Sequence, residues 1–504
     1  MKALAEKYHN GQFRKGDERL PYIVHPQAVA ATLVSWGEPE NSVAVSAAWG
    51  HDLLEDTTVT ESEIIAASSQ EVLDCIKLLT HSDDTDKASY LRNVSRCGNR
   101  DVLLVKIADR ICNTSDFVKL KGKLHAFRYL HSADVLVPAL EKLSGDQVVK
   151  NALAAWKNID DSLKNDAQRE TLRGCLIGGA VGDALGSPVE FLDLKGIEDV
   201  FGGAVDDYVE FRDGTGAITD DTQMTLFTAE GILRAFVRGQ EKGICHPASV
   251  VKNAYLRWLK TQGVTIPLQH DIFDGWLIGE KELFSCRAPG MTCLAGLQQN
   301  TLNAVNRSKG CGTIMRIAPA GLFYAPCEAY EKGCEFSAIT HGHPTGIISG
   351  GAFAMLISYL HRGKSLGDAL GLVEEHLEKT PDAEETLLSL RAAKNAKSVA
   401  ELGEGWVANE TLAIAVYCAL HYEHDFKAGV LEAINITGDS DSTGAVAGNI
   451  LGVINGEHSI PEKWRKNLRE YRIVSEIADD LHLQIENDES GHVTEMWWNK
   501  YPGH

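Results

Sequence analysis

Two acid-and-hydroxyl words, far apart in the chain, constrain the fold more than any other feature. The first is Thr219-Asp220-Asp221-Thr222-Gln223-Met224, entered from the glycine-rich turn Gly214-Thr215-Gly216. The second is Thr437-Gly438-Asp439-Ser440-Asp441-Ser442-Thr443-Gly444. A run with helical spacing follows each word, so each marks the point where a loop enters a helix. Taken singly, either word also satisfies an N-cap with acidic residues in the first turn. Taken together, they supply the carboxylates and hydroxyls that hard cations such as Mg²⁺ or Mn²⁺ require. A fold that uses both at one site must bring two helix N-termini to it from opposite sides. Glu190, at the end of Gly182-Asp183-Ala184-Leu185-Gly186-Ser187-Pro188-Val189-Glu190, is a candidate further ligand or acid/base.

At 504 residues the chain exceeds one ordinary domain, and two or more are expected. A net charge of −21 argues against sequence-independent nucleic-acid binding and against anionic membranes, which both need a basic face. The 11 cysteines are scattered, with no Cys-x-x-Cys pair, as expected of reduced thiols in a cytoplasmic protein. The N-terminus is polar, and no apolar run reaches membrane-spanning length.

The first part of the chain holds a second set of chemistry-bearing residues. A helix expected over roughly Asn41 to Leu54 ends near His51, Asp52, Glu55 and Asp56, whose spacings of three and four make them neighbours. Asp109 closes the apolar run from Leu103 to Ala108 and is expected to point into a site. A lone histidine on an apolar helix is usually a core residue. His25, His51, Asp52 and Asp109 together form a mixed nitrogen and oxygen set suited to Mn²⁺, Fe²⁺ or Zn²⁺. Glu55 and Asp56 are then free to handle protons or position water.

These residues lie in the words Gly11-Gln12-Phe13-Arg14-Lys15-Gly16, Pro21-Tyr22-Ile23-Val24-His25-Pro26, His51-Asp52-Leu53-Leu54-Glu55-Asp56-Thr57 and Lys106-Ile107-Ala108-Asp109-Arg110-Ile111-Cys112-Asn113. They resemble the HD metal-dependent phosphohydrolase domain of Rel/Spo-type (p)ppGpp enzymes and the small alarmone hydrolases. The resemblance covers about residues 1–150 and implies a helical bundle over 1–155. It implies one Mn²⁺ on His25, His51, Asp52 and Asp109, with Glu55 and Asp56 activating water or orienting the leaving group. Arg14, Lys15 and Asn113 fall where that family contacts a guanosine (p)ppGpp-like nucleotide, which it hydrolyses at the 3′-pyrophosphate. The synthetase domain that follows in the long enzymes is not visible here.

Between about 140 and 168 the chain is charged and helix-favouring, without the composition of a flexible tether. From Arg169 it turns rich in glycine and alanine, with Gly174, Gly178, Gly179 and Gly182. No strand precedes them, so close helix packing is favoured over a dinucleotide loop. Loops are expected at 195–217, 262–293 and 305–319. The loop from Asn306 to Arg316 is small and polar, which suits backbone N–H groups near phosphates and suits an ordinary connection equally. Thr340-His341-Gly342-His343-Pro344 opens another helix, where substrate contact or capping is favoured over a metal.

In order, Gly182 through Glu190, Thr219 through Met224, Gly310 through Pro319, Thr340-His341 and Gly438 through Ser442 resemble the ADP-ribosylglycohydrolase family. The resemblance spans about 169–460. It implies a larger all-α domain over 168–470 with two Mg²⁺ or Mn²⁺ ions on Thr219, Asp220, Asp221, Asp439, Asp441 and Ser442, and Glu190 near them. Ser442 stands where threonine is common, and the ligating hydroxyl is retained. Ser308, Gly310, Gly312, Thr313 and His341 would contact the ADP-ribose of a modified protein or other conjugate. The expected molecule is an all-α bifunctional hydrolase, with 471–504 a tail of no assigned role. A rival reading is a nucleotide sensor or toxin-immunity protein in which one domain binds without turnover; intact Glu55 and Asp56 speak against it. Another gives the first domain a different nucleotide.

Overall fold

Side-chain oxygens start the helices that carry the candidate residues. Ser42 accepts from Val45 N, Asn99 from Asp101 N and Val102 N, Thr219 from Asp221 N and Asp439 from Ser442 N. Each satisfies a backbone donor that has no partner within the first turn. The computed structural model describes residues 1–504 except 15–16, 83, 211–213, 266–271, 488–493 and 504. Among the described residues the regular structure is helical apart from one short antiparallel hairpin, β1 (Phe13–Arg14) with β2 (Asp17–Pro21). The chain forms two units, Met1–Ala167 and Gln168–His504, and the division falls within a single 40-residue helix. No helix among the described residues is long and apolar enough to cross a membrane.

In the first unit, α1 (Val24–Ser35), α2 (Val43–Gly50), the short α3 (Leu53–Asp56) and α4 (Arg100–Lys121) frame the site. Val29, Leu33, Ala44, Ala47, Leu104 and Ile107 are fully buried between them. Burying the apolar run of α4 carries Asp109 inward with it. The single helix expected over Asn41 to Leu54 is instead two, with His51 and Asp52 in the break. The His51 ring there bonds the Ala48 carbonyl, which the ended helix leaves without a backbone donor.

In the second unit, α5 (Gln147–Gly186) contributes its C-terminal part, from Gln168 onward. Around it stand α6 (Asp220–Lys242), α7 (Pro344–His361) and α8 (Ser440–Asn455). The glycines of α5 and α8 make an antiparallel seam. A Cβ on Gly174 would stand 2.3 Å from the Gly452 oxygen, one on Gly178 2.4 Å from the Gly448 oxygen and one on Gly182 2.0 Å from the Gly444 oxygen. Only glycine permits backbones that close, so the glycine-rich texture serves helix packing here. The seam ends at Gly186, whose Cβ would lie 2.3 Å from the Ser440 oxygen, at the second acid word.

The residues after 470 belong to this unit and are not a separate tail. In α9 (Tyr471–Asn487), Ile473, Val474, Ile477, Ala478 and Leu481 join the core, an apolar face at helical spacing. Tyr501 is fully buried, and its hydroxyl donates to Asp480.

Candidate active sites

In the Met1–Ala167 unit, α1 supplies His25, the α2–α3 turn supplies His51 and Asp52, and α4 supplies Asp109. The two histidine Nε2 atoms are 3.3 Å apart. Asp109 Oδ1 lies 3.1 Å from His25 Nε2 and 3.8 Å from His51 Nε2. Asp52 Oδ2 lies 3.1 Å from His51 Nε2 and 3.8 Å from His25 Nε2. His51 Nδ1–H donates to Ala48 O at 2.8 Å, which turns Nε2 into the cluster. The Tyr22 hydroxyl donates to Asp52 Oδ2, and Asn113 Nδ2 donates to Asp109 Oδ1, each at 2.6 Å.

Burial alone would lower the His51 pKa, but Asp52 and Asp109 carry it up to about 10. Burial likewise opposes ionisation of the two carboxylates. His51 nonetheless holds Asp52 below the usual carboxylate range, and Lys106 with both histidines does so for Asp109. His25, His51 and Asp52 bring ligand atoms within 4.8 Å of one another, a set that fits one divalent cation, with Asp109 Oδ1 beside His25. Glu55 and Asp56 are exposed at the rim. Glu55 accepts from His81 N at 3.1 Å, and Asp56 accepts from the Tyr22 hydroxyl at 3.1 Å. Arg14 donates to Asn113 Oδ1 at 2.7 Å, so both reach the cluster. Lys15 lies outside the described residues. Tyr22, three residues before His25, was not singled out from the sequence as a site residue.

In the Gln168–His504 unit, the N-termini of α6 and α8 and the residues after α5 converge. Asp183, which sequence reasoning left out of the site, is fully buried and anchors the first word. It accepts from Thr219 N at 3.0 Å, from Thr222 N at 3.1 Å and from the Thr222 hydroxyl at 2.5 Å. Asp220 Oδ2 accepts from Gly290 N at 3.1 Å. Ser442 N donates to Asp439 Oδ1 at 3.3 Å and to Asp441 Oδ1 at 2.9 Å. Glu190, Asp439 and Asp441 each present an oxygen within 4.8 Å of the others.

Burial raises every one of these carboxyls, and neighbouring acids add to the rise for all but Asp441. Asp183 is pushed up to about 7 and Glu190 to about 10; Asp220, Asp221, Asp439 and Asp441 also rise. The charges acting on Asp221 are those of Asp441, Asp220, Asp183 and Asp439. Its Oδ2 is buried with no hydrogen-bond partner. Buried carboxylates gathered without a counter-charge fit divalent cations, which would supply it.

The 305–319 loop wraps His341. The Thr340 hydroxyl accepts from Arg316 at 2.6 Å and lies 2.8 Å from His341 Nδ1. Burial, with Arg316, lowers His341 to about 3, which keeps the ring neutral. Its edge faces Gly310 and Gly312, where a Cβ would stand 3.4 Å from Nε2 and 3.0 Å from Cε1. Gly310 N donates to the Ser308 hydroxyl at 3.3 Å, and the Thr313 hydroxyl donates to Gly310 O at 3.3 Å. This loop adjoins the acids, since Asp439 and Asp221 are among the causes that push the Cys311 thiol up after burial.

A family profile described as ADP-ribosylglycohydrolase matches residues 164–491. An uncharacterized protein of Archaeoglobus fulgidus is 28% identical over 333 residues, which is 63% of this chain and 98% of that protein. The ADP-ribosylarginine hydrolase Tri1 of Serratia proteamaculans is 26% identical over 361 residues, 69% of this chain and 88% of its own. The guanosine-3′,5′-bis(diphosphate) 3′-pyrophosphohydrolase of Haemophilus influenzae is 31% identical over 159 residues, 30% of this chain and 23% of that enzyme.

Proposed function

Given that the chain belongs to the ADP-ribosylglycohydrolase family, we propose that its Gln168–His504 unit releases ADP-ribose from modified proteins or other conjugates. The observation that carries this reading is the convergence of Asp220, Asp221, Asp439 and Asp441 from two helix N-termini into one buried cluster without counter-charge. Thr219, Asp220, Asp221, Asp439, Asp441 and Ser442 would hold two Mg²⁺ or Mn²⁺ ions. Such ions supply positioning of ribose hydroxyls and water and stabilise developing negative charge. Asp183 fixes the Thr219–Thr222 turn. Glu190, with an oxygen within 4.8 Å of Asp439 and Asp441, is placed to donate a proton to the departing target atom. Water's oxygen bonds to the ribose carbon as the bond to the target breaks, through an oxocarbenium-like state. His341 and the 308–313 loop face the ADP-ribose. Alanine at Asp220 and Asp441 together lowers release from arginine-linked conjugates, the substrate in the Serratia relative's name, by at least about 10²-fold. Undiminished release overturns the reading.

For the Met1–Ala167 unit we propose hydrolysis of the 3′-pyrophosphate of a (p)ppGpp-like nucleotide. Support comes from the gathering of His25, His51 and Asp52, with Asp109 beside His25, and from the 31% identity to the Haemophilus enzyme over 159 residues. His25, His51, Asp52 and Asp109 would hold one Mn²⁺, while Glu55 and Asp56 orient water and carry its proton away. Arg14 and Asn113 face the phosphates. Asp109→Ala abolishes Mn²⁺-dependent ppGpp hydrolysis and spares ADP-ribose release. Tight ppGpp binding by the unaltered chain with no product formed moves this unit to a sensor.

A further inference from the structure

One turn holds Asp220 by two of its atoms. Asp220 N donates to Arg287 O at 3.1 Å, and Asp220 Oδ2 accepts from Gly290 N at 3.1 Å. Between those contacts Ala288 has a φ of +54°. That backbone costs energy in a residue with a side chain, and it persists where the surroundings over-determine it. Here the buried Arg287 side chain does so. Its Nη1 donates to Ile218 O at 3.0 Å and to Glu470 Oε1 at 2.7 Å. The carbonyl and the guanidinium of one arginine thus hold the chain on both sides of Thr219.

Glu470 stands just before α9 and is 1% exposed. Among the described residues its second oxygen, Oε2, is buried with no hydrogen-bond partner. The segment leading to it follows the same turn. Arg469 N donates to Gly216 O at 3.0 Å, and a Cβ on Gly216, whose φ is +69°, would collide with the Asn467 carbonyl. Residues 467–470 therefore hold the entry to the first acid word at Gly216 directly, and at Ile218 and Asp220 through Arg287. Desolvation offsets most of what a buried ion pair gains, so such a pair suits the fixing of one arrangement better than the adding of stability.

We infer that Arg287 and Glu470 are positioning residues that pre-set Asp220 for cation binding, so that a segment past the second acid word completes the geometry of the first. The inference rests on the cation reading of the Gln168–His504 unit. Its test measures Mn²⁺ binding by calorimetry on the full chain carrying Asp109→Ala, which silences the first unit's cluster, and thermal unfolding of the same samples without cation. Glu470→Gln keeps the shape and removes the charge, and is expected to weaken Mn²⁺ binding about tenfold, the low end for groups that orient a metal's ligands. Should that variant fail to fold, Arg287→Lys keeps the charge, loses the planar fork and is expected to weaken binding likewise. Glu230→Gln is the control for general destabilisation. It breaks the fully buried Arg257–Glu230 pair, 2.9 Å apart and further along α6, and is expected to lower the unfolding temperature while leaving the Mn²⁺ constant as it was. Equal Mn²⁺ affinity with and without Glu470→Gln overturns the positioning role and leaves the cation site standing. A loss as large in Glu230→Gln overturns it too, since any destabilisation would then suffice. A second unit that takes up no Mn²⁺ removes the cation reading, and the positioning role with it.

Discussion

His341 is a buried imidazole kept neutral, and that has a price in acid. Its folded pKa, about 3, lies below the ordinary 6.5, so its contribution to stability is complete above pH 6.5 and is lost as pH falls toward 3. The slope is about 1.4 kcal/mol per pH unit. His341→Asn has no such slope. Between pH 7 and pH 5 the wild type is expected to lose about 2 kcal/mol relative to the variant in urea unfolding. A difference that stays constant with pH contradicts the neutral assignment. At this scale the sequence was informative where residue type carries the chemistry: Asp220, Asp441, His25 and Asp109 stand in recognisable words. Asp183 and Tyr22 stood in the same words, but nothing in their spacing says which backbone or carboxylate they will hold. Arg287 and Glu470 were illegible, because a buried ion pair drawn from segments far apart leaves no mark in either.

The α5–α8 seam makes a prediction about elements. Gly182→Ala places a methyl against the Gly444 carbonyl, where neither backbone can yield, and is expected to cost about 3 kcal/mol or more. Gly371, in the helix Leu366–Leu377, has nothing within 4 Å of its Cβ position. Gly371→Ala is therefore expected to raise stability by about 0.5–1 kcal/mol. Thermal unfolding of the two variants checks both signs, and equal effects would refute the seam. The glycine spacing of four was readable as helix packing before any partner was known, whereas its partner helix was not. The break between α2 and α3 was unreadable for a different reason. Helical spacing runs through Gly50 without interruption, and the break depends on a side-chain bond from His51.

For the whole molecule, the acid cluster sets how stability follows pH and cations. Its carboxyls titrate higher in the folded chain than in the unfolded one, with Asp183 rising from 3.8 to about 7. Without cations the folded state holds extra protons, so the contribution of Asp183 is complete below pH 3.8 and is lost as pH rises through 7, and that of Glu190 is lost only toward pH 10. Cations replace those protons, and their stabilising effect therefore grows with pH. Chelation is expected to lower the melting temperature more at pH 8 than at pH 5, with Mn²⁺ or Mg²⁺ restoring it. A pH-independent effect of chelator would show that the cluster does not bind them. That the chain is all-helical and longer than one domain followed from length and periodicity. The inclusion of residues after 470 did not, since α9 buries an apolar face that could equally have met a partner.

Because α5 and α8 touch main chain to main chain, their relative register behaves like a ratchet. Glycines recur every fourth position, at 174, 178, 182 and 186 on α5 and at 444, 448 and 452 on α8, with Gly456 just past its end. The helices can interlock only in steps of four residues, about 6 Å of travel. A slip of one tooth would carry Asp441 out of reach of its acidic neighbours. The gap between the two acid words is thus graduated by that four-residue spacing, and no exchange of side chains along the seam can fine-tune it.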